Sequence, residues 1–204
     1  MFKKDPCFKM SQSPHSPHTI IPTLISSHKS VLDVGCNTGF LAKTLVKKNI
    51  VTDGIDINKA ALKIAIKYCR DVFVRDLFTG KLGIPKKKYD YIIFADVLEH
   101  LPRPDLVLID AKKYLAKNGE IIISLPNIAR FEIRLSLLLG KFNYTDDYIL
   151  SEDHLRFFTK KSGVKFIEQC GYRVKRTIPT GLGHMIGILD TLTAVQFIFV
   201  CSKK

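Results

Sequence analysis

Apolar residues in this chain fall into short, nearly continuous runs separated by stretches in which they recur every three or four positions. Val31–Val34, Ile50–Ile57, Val72–Arg75, Tyr89–Phe94 and Glu120–Leu125 read as strands. Between them, Phe40–Lys48, Lys59–Tyr68 and Pro104–Lys117 read as amphipathic helices, the last with Val107, Leu108, Ala111, Tyr114 and Leu115 on one face. Asn58 is a good N-cap, and Pro104 with Asn118-Gly119 supplies start and stop signals for the third helix. Thr19–Ser27 carries Ile20, Ile21, Leu24 and Ile25 at helical spacing and predicts a lead-in helix. Strands without a polar face, alternating with helices, belong to a parallel sheet covered on both sides, which makes the fold class α/β and doubly wound.

After residue 126 the rhythm changes. Residues 127–158 form an irregular segment with seven Phe, Tyr and His side chains, followed by a helix capped by Thr159 and stopped by Gly171. Two more strands, Tyr172–Thr177 and about Val195–Cys201, lack a strong helix between them and should pair antiparallel. No break in composition divides residues 19–204, which are expected to be one domain with an insert at 127–158. Residues 1–18, polar and interrupted by prolines, are expected to be a flexible arm.

Composition narrows the picture only a little. The 204 residues suffice for a full core, and 46% hydrophobic with 25% charged residues excludes a disordered chain. Five scattered cysteines without a Cys-x-x-Cys pair argue for a reducing compartment and against a zinc or disulfide framework. The start of the chain is too polar for a signal peptide. Met185–Val200 contains Asp190 and Gln196 and is shorter than the ~18–20 residues of a membrane span. A soluble, cytoplasmic protein is expected. The net charge of +13 rests on lysines spread over the polar faces of predicted helices, with one tight run at Lys86–Lys88. A solvated basic surface accounts for this, with nucleic acid as the second-ranked partner.

The chemistry concentrates at the strand ends. Val31–Gly39 is an apolar run that turns through Gly35, Asn37 and Gly39 directly into a helix, so turn amides and a positive helix end favour a polar ligand tail. Asn tolerates positive φ, so its place between two glycines keeps the turn feasible. The spacing does not match the Gly-x-Gly-x-x-Gly of a dinucleotide site. Asp33 lies in the first strand, while Asp56, Asp76 and Asp96 fall at the ends of the next three. Together they suit a ligand rich in hydroxyl and amino donors.

In these segments the chain resembles the class I S-adenosylmethionine-dependent methyltransferases over nearly its whole length. Val31–Gly39 is similar to the family's first motif, and Gly54-Ile55-Asp56-Ile57 to the next. Asp76-Leu77 corresponds to its adenine position, and Asp96–Leu101 and Leu115–Pro126 to its later motifs. The resemblance implies a Rossmann-like, seven-stranded sheet of order 3-2-1-4-5-7-6 with the last strand antiparallel. It also implies S-adenosylmethionine bound by Asp33, Gly35, Cys36, Asn37, Gly39, Asp56, Ile57, Asp76, Leu77 and Asp96, with Asp56 on both ribose hydroxyls and Asp76 on the adenine amino group.

Methyl transfer from a sulfonium needs alignment above all, and a base where the acceptor is a hydroxyl. Glu99, His100 and His154 are the candidates, the alternative being a locally satisfied polar group. Asp96, Glu99, His100 and His154 also resemble the acid-and-histidine metal set of some ubiquinone-biosynthesis and small-RNA methyltransferases, although no metal ligand is assigned on the sequence. Residues 126–158 resemble a subgroup that includes proteins akin to a methionine-biosynthesis factor and are expected to build the acceptor pocket, with Arg134 and Arg156 as residues for an acidic substrate. The expected activity is methyl transfer to a small-molecule oxygen. An RNA methyltransferase and a non-catalytic, cofactor-binding regulatory partner are the alternatives.

Overall fold

A computed structural model describes residues 13–145, 149–181 and 189–204. The elements in chain order are α1 (Pro17–Ile20), β1 (Ser30–Val34), α2 (Phe40–Leu45), β2 (Val51–Asp56), α3 (Lys59–Ala65), β3 (Val72–Val74) and β4 (Tyr89–Ala95). They continue with α4 (Pro104–Ala111), β5 (Leu115–Pro126), α5 (Phe131–Leu138), α6 (Lys160–Gln169), β6 (Tyr172–Pro179), α7 (Asp190–Thr193) and β7 (Gln196–Lys203).

The sheet order is β3-β2-β1-β4-β5-β7-β6, with β7 antiparallel to both neighbours, as the family resemblance implies. Two parallel halves diverge from β1 and β4, so the ends of these strands frame the reversal point where open α/β sheets bind ligands. One apolar cluster, from Leu32, Ile92, Phe94, Ile121 and Ile123 to Leu108 and Phe199, covers one face. A second, of Ile21, Val31, Leu41, Leu45, Ile93, Ile122 and Ile198, covers the other. Alternate residues of β4 and β5 thus serve opposite layers, which is why their sequences read as unbroken apolar runs. Among the described residues no helix is long and apolar enough to cross a membrane.

Several boundaries differ from the sequence reading, each for a local reason. Helix α4 stops at Ala111, short of Lys117, because the Tyr89 N–H donates to Tyr114 O (2.8 Å) and Leu115 is drawn into the sheet opposite Tyr89. The lead-in helix begins earlier, at Pro17, and becomes a 3₁₀ turn over Ile21–Leu24. Of the arm expected at 1–18, residues 1–12 lie outside the described residues; Ser16 and Pro17 are buried, and His15 O accepts from the Gly181 N–H (3.0 Å). The insert is not wholly irregular, since it contains α5, whose Ile133 packs inward with Ile149 and Leu150. Helix α6 starts as expected, with Thr159 and Ser162 closing a capping box.

Candidate functional site

The turn after β1 needs backbone that only small residues allow. Gly35 and Gly39 both have φ of +78°, and Asn37 has φ of +46°. A Cβ on Gly35 would stand 2.5 Å from Val97 Cγ2, and one on Gly39 would stand 3.0 Å from Ala65 Cα. The Gly35 contact ties the turn to the loop after β4, bringing two strand ends that are distant in sequence into direct packing.

The turn's amides are used differently from the sequence expectation. Gly35 and Cys36 N–H both donate to Ile55 O (2.8 and 3.0 Å), Asn37 N–H to Asp56 Oδ2 (2.8 Å), and Gly39 N–H to Cys36 O (2.8 Å). The β1–β2 pairing simply continues into the turn. The amides at these four positions are therefore engaged within the fold, and the two glycines are required by the close approach of Val97 and Ala65.

Asp56 is fixed by two backbone amides, Asn37 N–H on Oδ2 and Asn58 N–H on Oδ1 (both 2.8 Å). Each oxygen keeps acceptor capacity for one further donor, the arrangement that suits a pair of neighbouring hydroxyls. Ile57 beside it is 64% exposed and Phe78, two residues past Asp76, is 59% exposed. Two bare apolar side chains flanking two carboxylates fit a flat ring with polar edges. Asp76 Oδ1 accepts the Phe78 N–H (2.9 Å) and is itself exposed, while Leu77 is buried as core.

Asp33 is 2% exposed, and burial together with the nearby Asp56 carboxylate pushes it up to about 7. A cation beside it would relieve that cost, so the residues present fit a ligand with a positively charged end. Cys36 and Cys69 are buried against Gly54, and burial pushes the Cys69 thiol up to about 12 and Cys36 higher still. Both are packing thiols, so Cys36 reaches a ligand through its backbone only.

Asp96 adopts a positive φ of 57°, and its carboxylate accepts from Ser124 Oγ and from Gln196 Nε2 (3.1 Å). It is therefore engaged with β5 and β7. Neither partner was identified from the sequence, although a glutamine heading an otherwise apolar strand was the available signal.

Glu99 and His100 lie in a 3₁₀ turn, Leu98–His100, directly after Val97, and His154 arrives from the insert. The main chain joins the two segments, since Glu99 O accepts from Leu155 N–H (2.8 Å) and Arg156 N–H (3.0 Å). One potential ligand atom from each of Glu99, His100 and His154 lies within 4.8 Å of the others. Glu99 is fully buried. His100 Nδ1 faces Asp153 O (3.1 Å) and His154 Nδ1 faces Ile149 O (2.9 Å). A carbonyl only accepts, so each Nδ1 carries a proton and Nε2 is the nitrogen left to take part in chemistry. The group has the chemistry of a base or of a divalent-cation site, and Asp96 is not part of it.

A cavity of about 330 Å³ opens on the insert side, lined by Arg130, Phe131, Glu132, Leu189, Leu192 and Thr193. No predicted site residue lines it. Arg134 Nε donates to Ala129 O (2.6 Å) and Arg156 Nη2 to Pro102 O (2.6 Å), so both serve the loop backbone. The arginine at the cavity is Arg130, ion-paired to Glu132 (2.7 Å), which the sequence reading missed.

A family model described as a methyltransferase domain matches residues 14–176. Among curated relatives, a ubiquinone biosynthesis O-methyltransferase of Pasteurella multocida is 28% identical over 113 residues, 48% of this chain and 47% of that protein. The one from Histophilus somni is 24% identical over 164 residues, 72% of this chain and 68% of that protein. The match thus spans between about half and two thirds of these relatives' length. Among solved structures, an S-adenosylmethionine-dependent methyltransferase of Methanosarcina mazei superposes with a TM-score of 0.69 at 16% identity, covering 92% of this chain and 98% of that one. The 1,6-didemethyltoxoflavin-N1-methyltransferase of Burkholderia thailandensis, with S-adenosylhomocysteine bound, gives 0.65 at 12% identity over 95% and 80%. At such identities the likeness establishes the fold.

Proposed function

The chain belongs to the methyltransferase-domain family of class I S-adenosylmethionine-dependent enzymes, and from that premise we propose that it methylates an oxygen of a small-molecule acceptor. The observation that carries the reading is the packing of Val97 on Gly35, which brings Glu99 and His100, two and three residues beyond Val97, to the side of the glycine turn.

The cofactor supplies an electrophilic methyl on a sulfonium, transferred by in-line displacement. The tight turn from Gly35 to Gly39 would border its amino-acid end, and Asp33 would offer that end a buried negative charge. Asp56 would accept from the ribose hydroxyls, with Ile57 and Phe78 offering apolar contact to the adenine ring and Asp76 an acceptor for its amino group. Asp96, held by Ser124 and Gln196, fixes the wall between cofactor and acceptor. His100 or His154, with Nδ1 protonated, takes the acceptor's hydroxyl proton at Nε2, and buried Glu99 stabilises the resulting imidazolium. The largely apolar cavity at Phe131, Leu189 and Leu192, with Arg130 at its side, suits an acceptor with an apolar body. The O-methyltransferase relatives support oxygen as the accepting atom. A second reading, favoured by the 4.8 Å grouping, has the same three residues hold a divalent cation that lowers the hydroxyl's pKa.

Transfer of labelled methyl from S-adenosylmethionine to a panel of phenols, catechols, amines and thiols tests the proposal. Labelling of hydroxyl acceptors, lost in His154→Ala with S-adenosylhomocysteine affinity retained, supports it. Labelling of amines or thiols alone overturns the oxygen assignment, and full activity after exhaustive chelation removes the metal reading.

A further inference from the structure

The edge of the sheet away from the glycine turn is where β4, β5 and β6 begin and β7 ends. Four lysines crowd there. Lys88 Nζ donates to Lys113 O (2.5 Å) and Lys203 Nζ to Leu115 O (2.7 Å), two residues further along the same turn. Lys112 Nζ lies 5.4 Å from the centroid of the Tyr172 ring, and Tyr172 is the register partner of Lys203. The same ammonium fills the space beside Gly171, whose carbonyl accepts the Lys204 N–H (3.2 Å).

Among the described residues, Lys88, Lys112, Lys203 and Lys204 have no carboxylate partner, whereas Lys87, Lys113 and Lys175 nearby are each ion-paired. Like charges are thus gathered and left uncompensated. Burial, and repulsion from Lys88 and Lys112, hold Lys203 below the ordinary lysine value. Lysines bound to helix-end carbonyls are ordinary C-caps when isolated. Capping accounts for Lys88 and Lys204, whereas Lys203 reaches the start of β5 and Lys112 lies over a ring; together the four, from three separate segments, raise an electrostatic cost that an anionic partner would remove.

We propose that this edge docks a nucleic-acid strand through its phosphates, apart from the methyl-transfer site. The ammonium groups of Lys88 and Lys203 meet carbonyls two residues apart at the start of β5, and that of Lys112 lies over Tyr172 at the start of β6, forming one basic patch across these strand ends. Arg173, exposed at the start of β6, extends it. A dense patch of ammonium groups without carboxylate partners matches the closely spaced phosphates of a nucleic-acid strand. A membrane surface would instead favour exposed apolar side chains, and these lie in the insert, with Leu138 82% and Leu139 63% exposed. Backbone contact of this kind positions a strand without reading its sequence.

The test measures binding of a labelled 20-nucleotide RNA by fluorescence anisotropy at 50 and 200 mM salt. The triple variant Lys88→Gln, Lys112→Gln, Lys203→Gln removes charge but keeps an N–H donor for the carbonyls of Lys113 and Leu115. A matched variant, Lys47→Gln, Lys63→Gln, Lys67→Gln, removes equal charge from α3, the turn that follows it and the turn after α2. Thermal midpoints check that both are folded, and replacement of the exposed Lys204 and Arg173 by Gln repeats the test should the first variant unfold. The expected result is a loss of about tenfold or more for the edge variant, with the slope of log affinity against log salt reduced by about two, and a smaller loss for the matched variant. Equal losses in the two variants, no RNA binding at 50 mM salt, or binding to anionic lipid vesicles without RNA binding would each overturn the proposal.

Discussion

Asp33 makes the stability of the free protein pH-dependent in a direction opposite to that of most carboxylates. Its side chain is buried beside Asp56 and titrates near 7 in the folded chain, against 3.8 for an ordinary aspartate. Between those values the folded state holds a proton that the unfolded state has lost, so stability falls as pH rises through the window. At ~1.36 kcal/mol per pH unit the full cost above pH 7 is about 4 kcal/mol, which relaxation around the site reduces to about 2–4 kcal/mol. Asp33→Asn keeps the shape and removes the titration. Urea denaturation of both proteins from pH 5 to 8.5 isolates the effect, because other groups cancel in the difference. The variant should gain on the wild type steadily as pH rises and level off above pH 8. Parallel stability curves for the two proteins would show that Asp33 is not a buried, proton-holding acid. The same cost predicts that S-adenosylmethionine, whose cationic end relieves it, binds more tightly as pH rises from 6 to 8, and that Asp33→Asn flattens this rise.

Gly35→Ala should destabilise the protein by about 2–4 kcal/mol, since a side chain at φ +78° is strained and its Cβ meets Val97 Cγ2; a loss under ~0.5 kcal/mol in urea unfolding would contradict the packing described. Asp53, fully buried, accepts from Arg70 (2.9 and 2.6 Å), Lys87 (2.8 Å) and Tyr89 (2.8 Å). Burial alone would raise it, but these bonds hold it below the ordinary value, so its contribution is present above about pH 3.8 and lost below. Asp53→Asn should cost about 3 kcal/mol at pH 7, near the low end for a buried pair because Arg70 and Lys87 stay partly in water. Its gap to the wild type should narrow in acid, which denaturation at pH 3 and 7 would reveal. His154→Ala should lower kcat with hydroxyl acceptors by about 10²-fold or more, the usual scale of a general base, and shift S-adenosylhomocysteine affinity little; unchanged kcat would remove it from the chemistry.

The central strands β1, β4 and β7 were legible because they are apolar on both faces, and α3, α4 and α6 because Asn58, Pro104 and Thr159 mark their starts locally. The start of β5 was not, because Lys112–Lys117 has helical periodicity and only pairing with Tyr89, 26 positions earlier at Leu115, turns it into strand. Helix α5 escaped notice for the opposite reason: its exposed face is apolar, so no contrast between faces marks it. At the site, acids at strand ends were visible because the topology rule places them on one edge. The use of the turn's amides by Ile55 and Asp56 was not visible, since it depends on register between β1 and β2. Arg130 was likewise hidden: Arg134 and Arg156 carry the same charge nearby, and only the folded insert shows which of them borders a cavity.

Calorimetric titration of the wild type and Asp56→Ala with S-adenosylhomocysteine probes the crevice most directly. The wild type should bind one molecule per chain. Losing two charge-assisted bonds, at ~1.5–3 kcal/mol each, should weaken the variant by roughly 10²–10⁴-fold. No heat with the wild type, or a variant within about threefold of it, would contradict the assignment of these strand ends to the cofactor.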